Sequence, residues 1–139
     1  MNYFSAKISC LVANFNGELK VTKEEYLINA LSFSEAEANL QKELDGREYE
    51  LLALTIKNFD EIYKVQFETL EDNYYYKVII KHTTIDENNG KEVKTKSVCL
   101  IEAKNTDEAT EKINELWKSS GSDWSIYAIS ETNYLDLFV

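Results

Sequence analysis

The chain has 139 residues, 44% hydrophobic, 29% charged and 12% aromatic, a size and balance that suit one folded domain with a conventional core and exclude a largely disordered chain. Its formal net charge is −10, from 25 acidic and 15 basic residues, which repels polyanions at long range and disfavours nucleic acid, duplex above all, as a partner. Cys10 and Cys99 stand without a CxxC pair, and there is neither an apolar run of 18 residues nor a basic-then-apolar leader; reduced cysteines, no membrane partner and a cytoplasmic location are therefore expected.

Residues 4–12 alternate, with Phe4, Ala6, Ile8, Cys10 and Val12 on one side and Lys7 on the other, as a strand with one buried face does. Asn16-Gly17 then predicts a two-residue type I′ turn, since both central positions of that turn need positive φ. A second strand leads to Ser32-x-x-Glu35, a capping box, and Phe33, Ala36, Leu40 and Leu44 follow at helical spacing on one stripe. Residues 49–56 read as a third strand, apolar on both faces through Leu51 and Ala53 against Leu52, Leu54 and Ile56. Two-sided burial is expected of it, at the centre of a sheet or at a seam between halves or between copies. Residues 58–63 run on into a connector at 64–73.

The second half repeats the order. Tyr76, Val78 and Ile80 face one side of a strand and Lys77 the other; Asn89-Gly90 marks a turn; Asn105-x-x-Glu108 has the capping-box form; Ala109, Ile113, Leu116 and Trp117 form a helical stripe; residues 124–131 make a strand with Ile126 and Ala128 against Tyr127 and Ile129. Residues 17–40 align without a gap on 90–113 through Gly17/Gly90, Thr22/Thr95, Lys23/Lys96, Leu27/Leu100, Ile28/Ile101, Ala30/Ala103, Glu35/Glu108 and Ala36/Ala109, and the alignment resumes at Ala53/Ala128 and Asn58/Asn133. Each match has a structural task, which marks an internal duplication. The expected fold is α+β: a tandem pseudo-twofold repeat of ββαβ units, antiparallel sheets with two amphipathic helices, forming one domain over 1–139 with repeats at about 1–64 and 74–139. The apolar tail at 133–139 is expected to dock as a final edge strand.

Catalytic equipment is sparse. His82 is the one histidine, placed near a strand end where partial burial is expected; no GxxxxGK[ST] or GxGxxG loop occurs; the carboxylate pairs Asp60-Glu61 and Glu71-Asp72 match no calcium-loop spacing. No catalytic residue, metal ligand or cofactor is assigned. Two constellations remain. Tyr75, alternating away from the core side of its strand, joins Lys77, Lys81, Lys94 and Lys96 in the one locally basic patch, where a base could stack among lysines. Tyr26, Tyr49, Trp124 and Tyr127 are aromatics that could line a ligand groove between the repeats.

Tyr3-Phe4-x-x-Lys7, the run from Ala30 to Ala38, Tyr76-Lys77-Val78, and Ile126-x-Ala-Ile-Ser-Glu-Thr132 with Leu135-Asp136 together resemble a family of short proteins of unknown function from gut Bacteroidota and their bacteriophages and mobile elements. The resemblance spans nearly the whole chain and implies an origin in a mobile or viral genome, with the host cytoplasm as the location of a phage-encoded protein. It carries no catalytic residues. The expected function is non-enzymatic: a protein-binding or self-associating accessory protein. Alternatives are an acidic mimic of nucleic acid that blocks a host defence factor, a small-ligand binder in the inter-repeat groove, and a single-stranded nucleic-acid binder.

Overall fold

A computed structural model describes residues 2–64, 74–121 and 123–139. The connector expected at 64–73 lies, from residue 65 onward, outside the described residues, as do Glu71 and Asp72. The fold is α+β. In chain order the elements are β1 (Asn2–Ala13), β2 (Leu19–Ala30), α1 (Phe33–Glu43), β3 (Tyr49–Lys57), β4 (Glu61–Tyr63), β5 (Tyr74–Ile85), β6 (Glu92–Ala103), α2 (Thr106–Trp117), β7 (Trp124–Glu131) and β8 (Tyr134–Phe138). They form two compact units, one of Met1–Asn58 with Asn133–Val139 and the other of Phe59–Thr132.

The duplication is written in the strand registers. In unit 1, β1 pairs antiparallel with β2 so that Cys10 faces Thr22 and Ala13 faces Leu19; in unit 2, β5 pairs with β6 so that His82 faces Thr95 and Ile85 faces Glu92. The third strands add to the other side of β1 and β5, and both slip register at one place, between Lys7 and Ile8 and between Ile79 and Ile80. That slip leaves Leu52 and Tyr127 as the extra residue of a β-bulge, at equivalent positions.

The bulge corrects the reading of the third strands. Sheet orders are β3-β1-β2-β8 and β4-β6-β5-β7, so β3 and β7 are edge strands rather than central ones. Their half-buried positions recur at intervals of two and then three: Tyr49, Leu51 and Leu54 are half-buried while Leu52, Ala53 and Ile56 are exposed, and Trp124, Ile126 and Ile129 are half-buried while Tyr127 and Ala128 are exposed. A strict period of two mispaired these faces because an inserted residue resets the alternation.

The turns differ from expectation too. Gly17 N–H donates to Asn14 O at 3.0 Å, and Asn14 N–H donates to Glu18 O at 2.9 Å, closing a three-residue loop with Gly17 at φ +78°. The side chain of Asn14 accepts from the Asn16 and Glu18 amides at 3.0 and 2.9 Å. The second hairpin is one residue longer: Gly90 N–H donates to Asp86 O at 2.8 Å and the Asp86 carboxylate accepts from Asn88 N–H at 2.9 Å. Asn14 and Asp86 supply local acceptors that a two-residue type I′ turn would leave unused, and only the glycine of each Asn-Gly pair is needed in the left-handed region.

The helices form as their caps predict. Glu35 N–H donates to Ser32 Oγ at 3.1 Å and Glu108 N–H donates to Asn105 Oδ1 at 2.8 Å. Ala36 and Leu40, like Ala109 and Ile113, are buried against their sheets. In unit 1 they pack with Phe4, Ala6, Ile8, Tyr26 and Ile28; in unit 2, with Tyr76, Val78, Ile80, Cys99 and Ile101. Small residues at 30, 36, 103 and 109 let helix backbone approach sheet backbone closely.

The fourth strand of each sheet comes from the other repeat. β8 lies parallel to β2, with Leu137 opposite Leu27 and Phe138 opposite Ile28; β4 lies parallel to β6, with Ile62 opposite Leu100 and Tyr63 opposite Ile101. The tail therefore docks as an edge strand, and 58–63 does likewise, so each antiparallel three-stranded core gains one parallel edge. Phe138 stacks on Tyr26 with centroids 4.9 Å apart and planes 14° from parallel. Asp60 clamps the entry of β4: its N–H donates to Val98 O at 2.8 Å and its carboxylate accepts from Val98 N–H at 2.7 Å.

Because each cap satisfies one otherwise orphaned helix donor, Ser32→Ala and Asn105→Ala should each lower unfolding free energy by about 1 kcal/mol. Urea unfolding followed by circular dichroism checks this. Equal stability in both variants would show that the caps do not hold these helix starts.

Candidate functional site

The lysines of the predicted patch come together on unit 2, on the face of its sheet opposite α2. Lys81 and Lys96 are directly opposed across β5 and β6, Lys94 pairs with Thr83, and Lys77 lies two registers beyond Ile79. All four side chains are exposed. Like charges placed directly opposite destabilise a ladder, and among the described residues none of these four lysines forms a salt bridge.

The aromatic partner is Tyr127 instead of Tyr75. Tyr75 does alternate onto this face, opposite Glu102, but it is only 6% exposed; this end of the face is buried, so the Tyr75 ring offers no free stacking surface. Tyr127, set outward by the β7 bulge, is 54% exposed. Lys81 Nζ lies 4.4 Å and Lys96 Nζ 4.1 Å from its ring centroid. The ring spreads the repulsion of the opposed lysines by offering each a cation–π contact. Beside it, Lys81, His82, Thr83, Lys94, Asp123, Trp124 and Ser125 line a shallow cleft of about 230 Å³. No period-based rule could have found Tyr127, because its outward position follows from the bulge.

His82 is half-buried and tied into the sheet: Nε2 is 2.8 Å from Ser97 Oγ, Nδ1 is 3.2 Å from Thr95 Oγ1, and the ring lies 5.5 Å from that of Trp117. Cys99 is fully buried, and burial pushes its thiol up to about 11, reinforced by the charges of Asp60 and Glu61.

Of the four predicted groove aromatics, Tyr26 and Tyr49 belong to unit 1, and Trp124 and Tyr127 to unit 2. Tyr49 lines an open cleft of about 740 Å³ beside the end of α1, with the carboxylates of Glu37, Asp45 and Glu48 outnumbering Arg47. Tyr26 instead joins a polar cluster that the sequence did not disclose. Tyr26 Oη donates to Glu24 Oε2 at 2.7 Å, while Arg47 donates to the same carboxylate at 2.9 Å and to Cys10 Sγ at 3.2 Å. Cys10 Sγ is also 3.2 Å from Thr22 Oγ1. Burial opposes ionisation of Glu24, yet the hydrogen bonds from Tyr26 and Arg47 outweigh it and hold the carboxyl below its usual range. Arg47 also donates to Tyr26 Oη at 3.3 Å, and this bond, then that to Glu24, raises the guanidinium further above its already high value. Burial, then the bond to Glu24, pushes the Tyr26 phenol up to about 12. The cluster is internally satisfied, which makes it a clamp on the loop after α1.

A phenol whose folded pKa is raised contributes stability that is complete below its ordinary value of 10 and is lost as pH climbs toward 12. Tyr26→Phe should therefore unfold less steeply with pH between 10 and 12 than the parent chain. Urea midpoints measured across that window provide the check; superimposable pH profiles would remove Tyr26 from the cluster's energetics.

Two compact units of like topology with their last strands exchanged, carrying an unbalanced lysine and tyrosine face, define an α+β tandem-repeat protein. Over residues 2–139 the chain matches the family described as Domain of unknown function (DUF4494), and it belongs to that family. No curated protein and no solved structure matches the chain. Among the described residues, no helix is long and apolar enough to cross a membrane.

Proposed function

We propose that this chain is a non-enzymatic, self-associating accessory protein, and that it pairs with a second copy through the distal part of its first hairpin. The observation that carries this reading is the difference between the two hairpin tips. At equivalent register positions, unit 1 has Leu11, Ala13, Leu19 and Val21 where unit 2 has Thr83, Ile85, Glu92 and Lys94. Leu11, Val12, Leu19 and Val21 are exposed, Leu19 by 69%, and Phe15 at the loop tip is fully exposed. An apolar two-stranded ribbon of this kind marks an interaction surface.

Its backbone edges are open as well. β3 pairs with β1 only as far as Cys10, and β8 pairs with β2 only from Glu25 onward, so among the described residues 11–13 and 19–24 have one unpaired side. Unpaired strand edges template strand addition. Charge favours a copy of the same chain: residues 11–24 contain two acids, Glu18 and Glu24, and two bases, Lys20 and Lys23, a net of zero within a chain of −10. This is where two acidic molecules approach without net repulsion. β2 beside the β2 of a second copy gives a closed, twofold contact.

The magnitude fits a reversible dimer. Full burial of Leu, Val or Phe is worth about 1.5–3 kcal/mol each, so partial burial of both tips yields on the order of 10 kcal/mol, comparable to the roughly 4–15 kcal/mol that association costs. Hydrogen-bonded or buried histidine and cysteine side chains support the non-enzymatic part of the reading. Resemblance to short proteins of gut Bacteroidota and their phages supports the accessory role in a mobile or viral genome.

Light scattering after size exclusion, over a concentration series, should show dimer growing with concentration. Phe15→Ser with Leu19→Ser should shift the chain to monomer while leaving its melting temperature within a few degrees. A parent chain that stays monomeric throughout, or a double variant that dimerises unchanged, overturns the proposal.

A further inference from the structure

We infer that the face of unit 2 opposite α2 binds single-stranded nucleic acid, with Tyr127 as the stacking platform and Lys81, Lys94 and Lys96 as the phosphate contacts. This site is separate from the hairpin tip argued above and rests on different observations.

The first is charge without compensation. In a chain of −10, four exposed lysines share one face, Lys81 and Lys96 are directly opposed, and no carboxylate among the described residues pairs with them. Two lysines of α2 and its C-cap do have carboxylate partners: Lys112 bridges Glu108 at 2.9 Å and Lys118 bridges Glu115 at 2.6 Å. A face that accepts like-charge repulsion in the free state gains when an anion is supplied.

The second is the position of the ring. Both ammonium groups rest within 4.4 Å of the Tyr127 centroid, a contact that is weak at an exposed site. An unpaired base can displace them and stack on the ring. The released ammonium groups then lie beside the phosphates that flank that base. Lys81 and Lys94 also line the 230 Å³ cleft with His82, Trp124 and one carboxylate, Asp123, so the lysines reach past the ring. Phosphate contact plus one stacked base per aromatic is the chemistry of single-strand recognition; an acidic peptide would use the lysines but leave the ring idle. Duplexes bury their base faces and meet the long-range repulsion of the acidic chain undiminished.

The third is divergence within the duplication. The unit 1 positions equivalent to Lys81, Lys94 and Tyr127 hold Ser9, Val21 and Leu52, and Lys23, equivalent to Lys96, stands two places from Glu25 on the same strand face. The scaffold does not require the lysines or the ring, since its other copy folds without them.

The test uses the full chain and fluorescence anisotropy with labelled oligothymidylate and oligouridylate, an unlabelled duplex and poly-glutamate serving as competitors. Both single strands should bind, with salt-sensitive affinity. Tyr127→Ala should weaken binding about 5- to 100-fold, the loss of one stacked base, without changing the salt slope, and Tyr127→Phe should restore it. Lys81→Gln and Lys96→Gln should each reduce the slope by about 0.7. No binding by the parent chain, unchanged affinity in Tyr127→Ala, or equal competition by duplex or poly-glutamate overturns the inference. Binding by the Phe15→Ser, Leu19→Ser monomer would show that this site stands apart from self-association.

Discussion

Each sheet is completed by a strand from the other repeat, and the rest of the structure depends on that exchange. A ββαβ module of about 60 residues buries only about 60% of the surface its unfolded chain would expose and is marginal alone. Parallel addition of β8 to β2 and of β4 to β6 widens each sheet to four strands and covers the edge beside Tyr26 and Ile28 or beside Cys99 and Ile101. Phe138 and Tyr63 then join the two cores from the edge. The linkage is reciprocal, so neither repeat owns all the residues that stabilise it, and the two are expected to unfold with shared cooperativity.

The same scaffold has been given two different surfaces. Registers, helix caps and even the bulge recur in both units, yet one equivalent face carries Leu11, Val21 and Leu52 and the other carries Thr83, Lys94 and Tyr127. Core positions keep their character because close packing penalises change of volume. Exposed positions are free of that constraint, so an apolar ribbon and a cationic aromatic face can sit on one architecture.

Local chemistry was legible in the sequence. Ser32 and Asn105 announce helices because a side-chain acceptor three residues ahead of a glutamate satisfies an orphan donor, and the alternation of Phe4 to Cys10 and of Tyr76 to Ile80 identifies the buried faces because Lys7 and Lys77 mark the other face of each strand. Strands apolar on both sides gave no such phase: nothing in Leu51 to Ile56 or Ile126 to Ile129 reveals where an inserted residue resets the period, and with it which way Leu52 and Tyr127 point. Strand exchange was equally hidden, since the five residues of β8 and the three of β4 fit any apolar edge, and the choice between sheets is a long-range one. The lysines of the candidate site were found by alternation; its ring was not, because its direction is set by the bulge, and Tyr75 was misjudged because the burial of one end of that face is a tertiary property.

The exchange is tested most directly by amide hydrogen exchange on a chain ending at Thr132, compared with the full chain. The account predicts that protection collapses through β2 at residues 25–28 and falls across the rest of unit 1, while β5 and β6 retain most of theirs, and that a peptide of residues 133–139 added in excess restores what was lost. Undiminished protection in β2 after the truncation would contradict it.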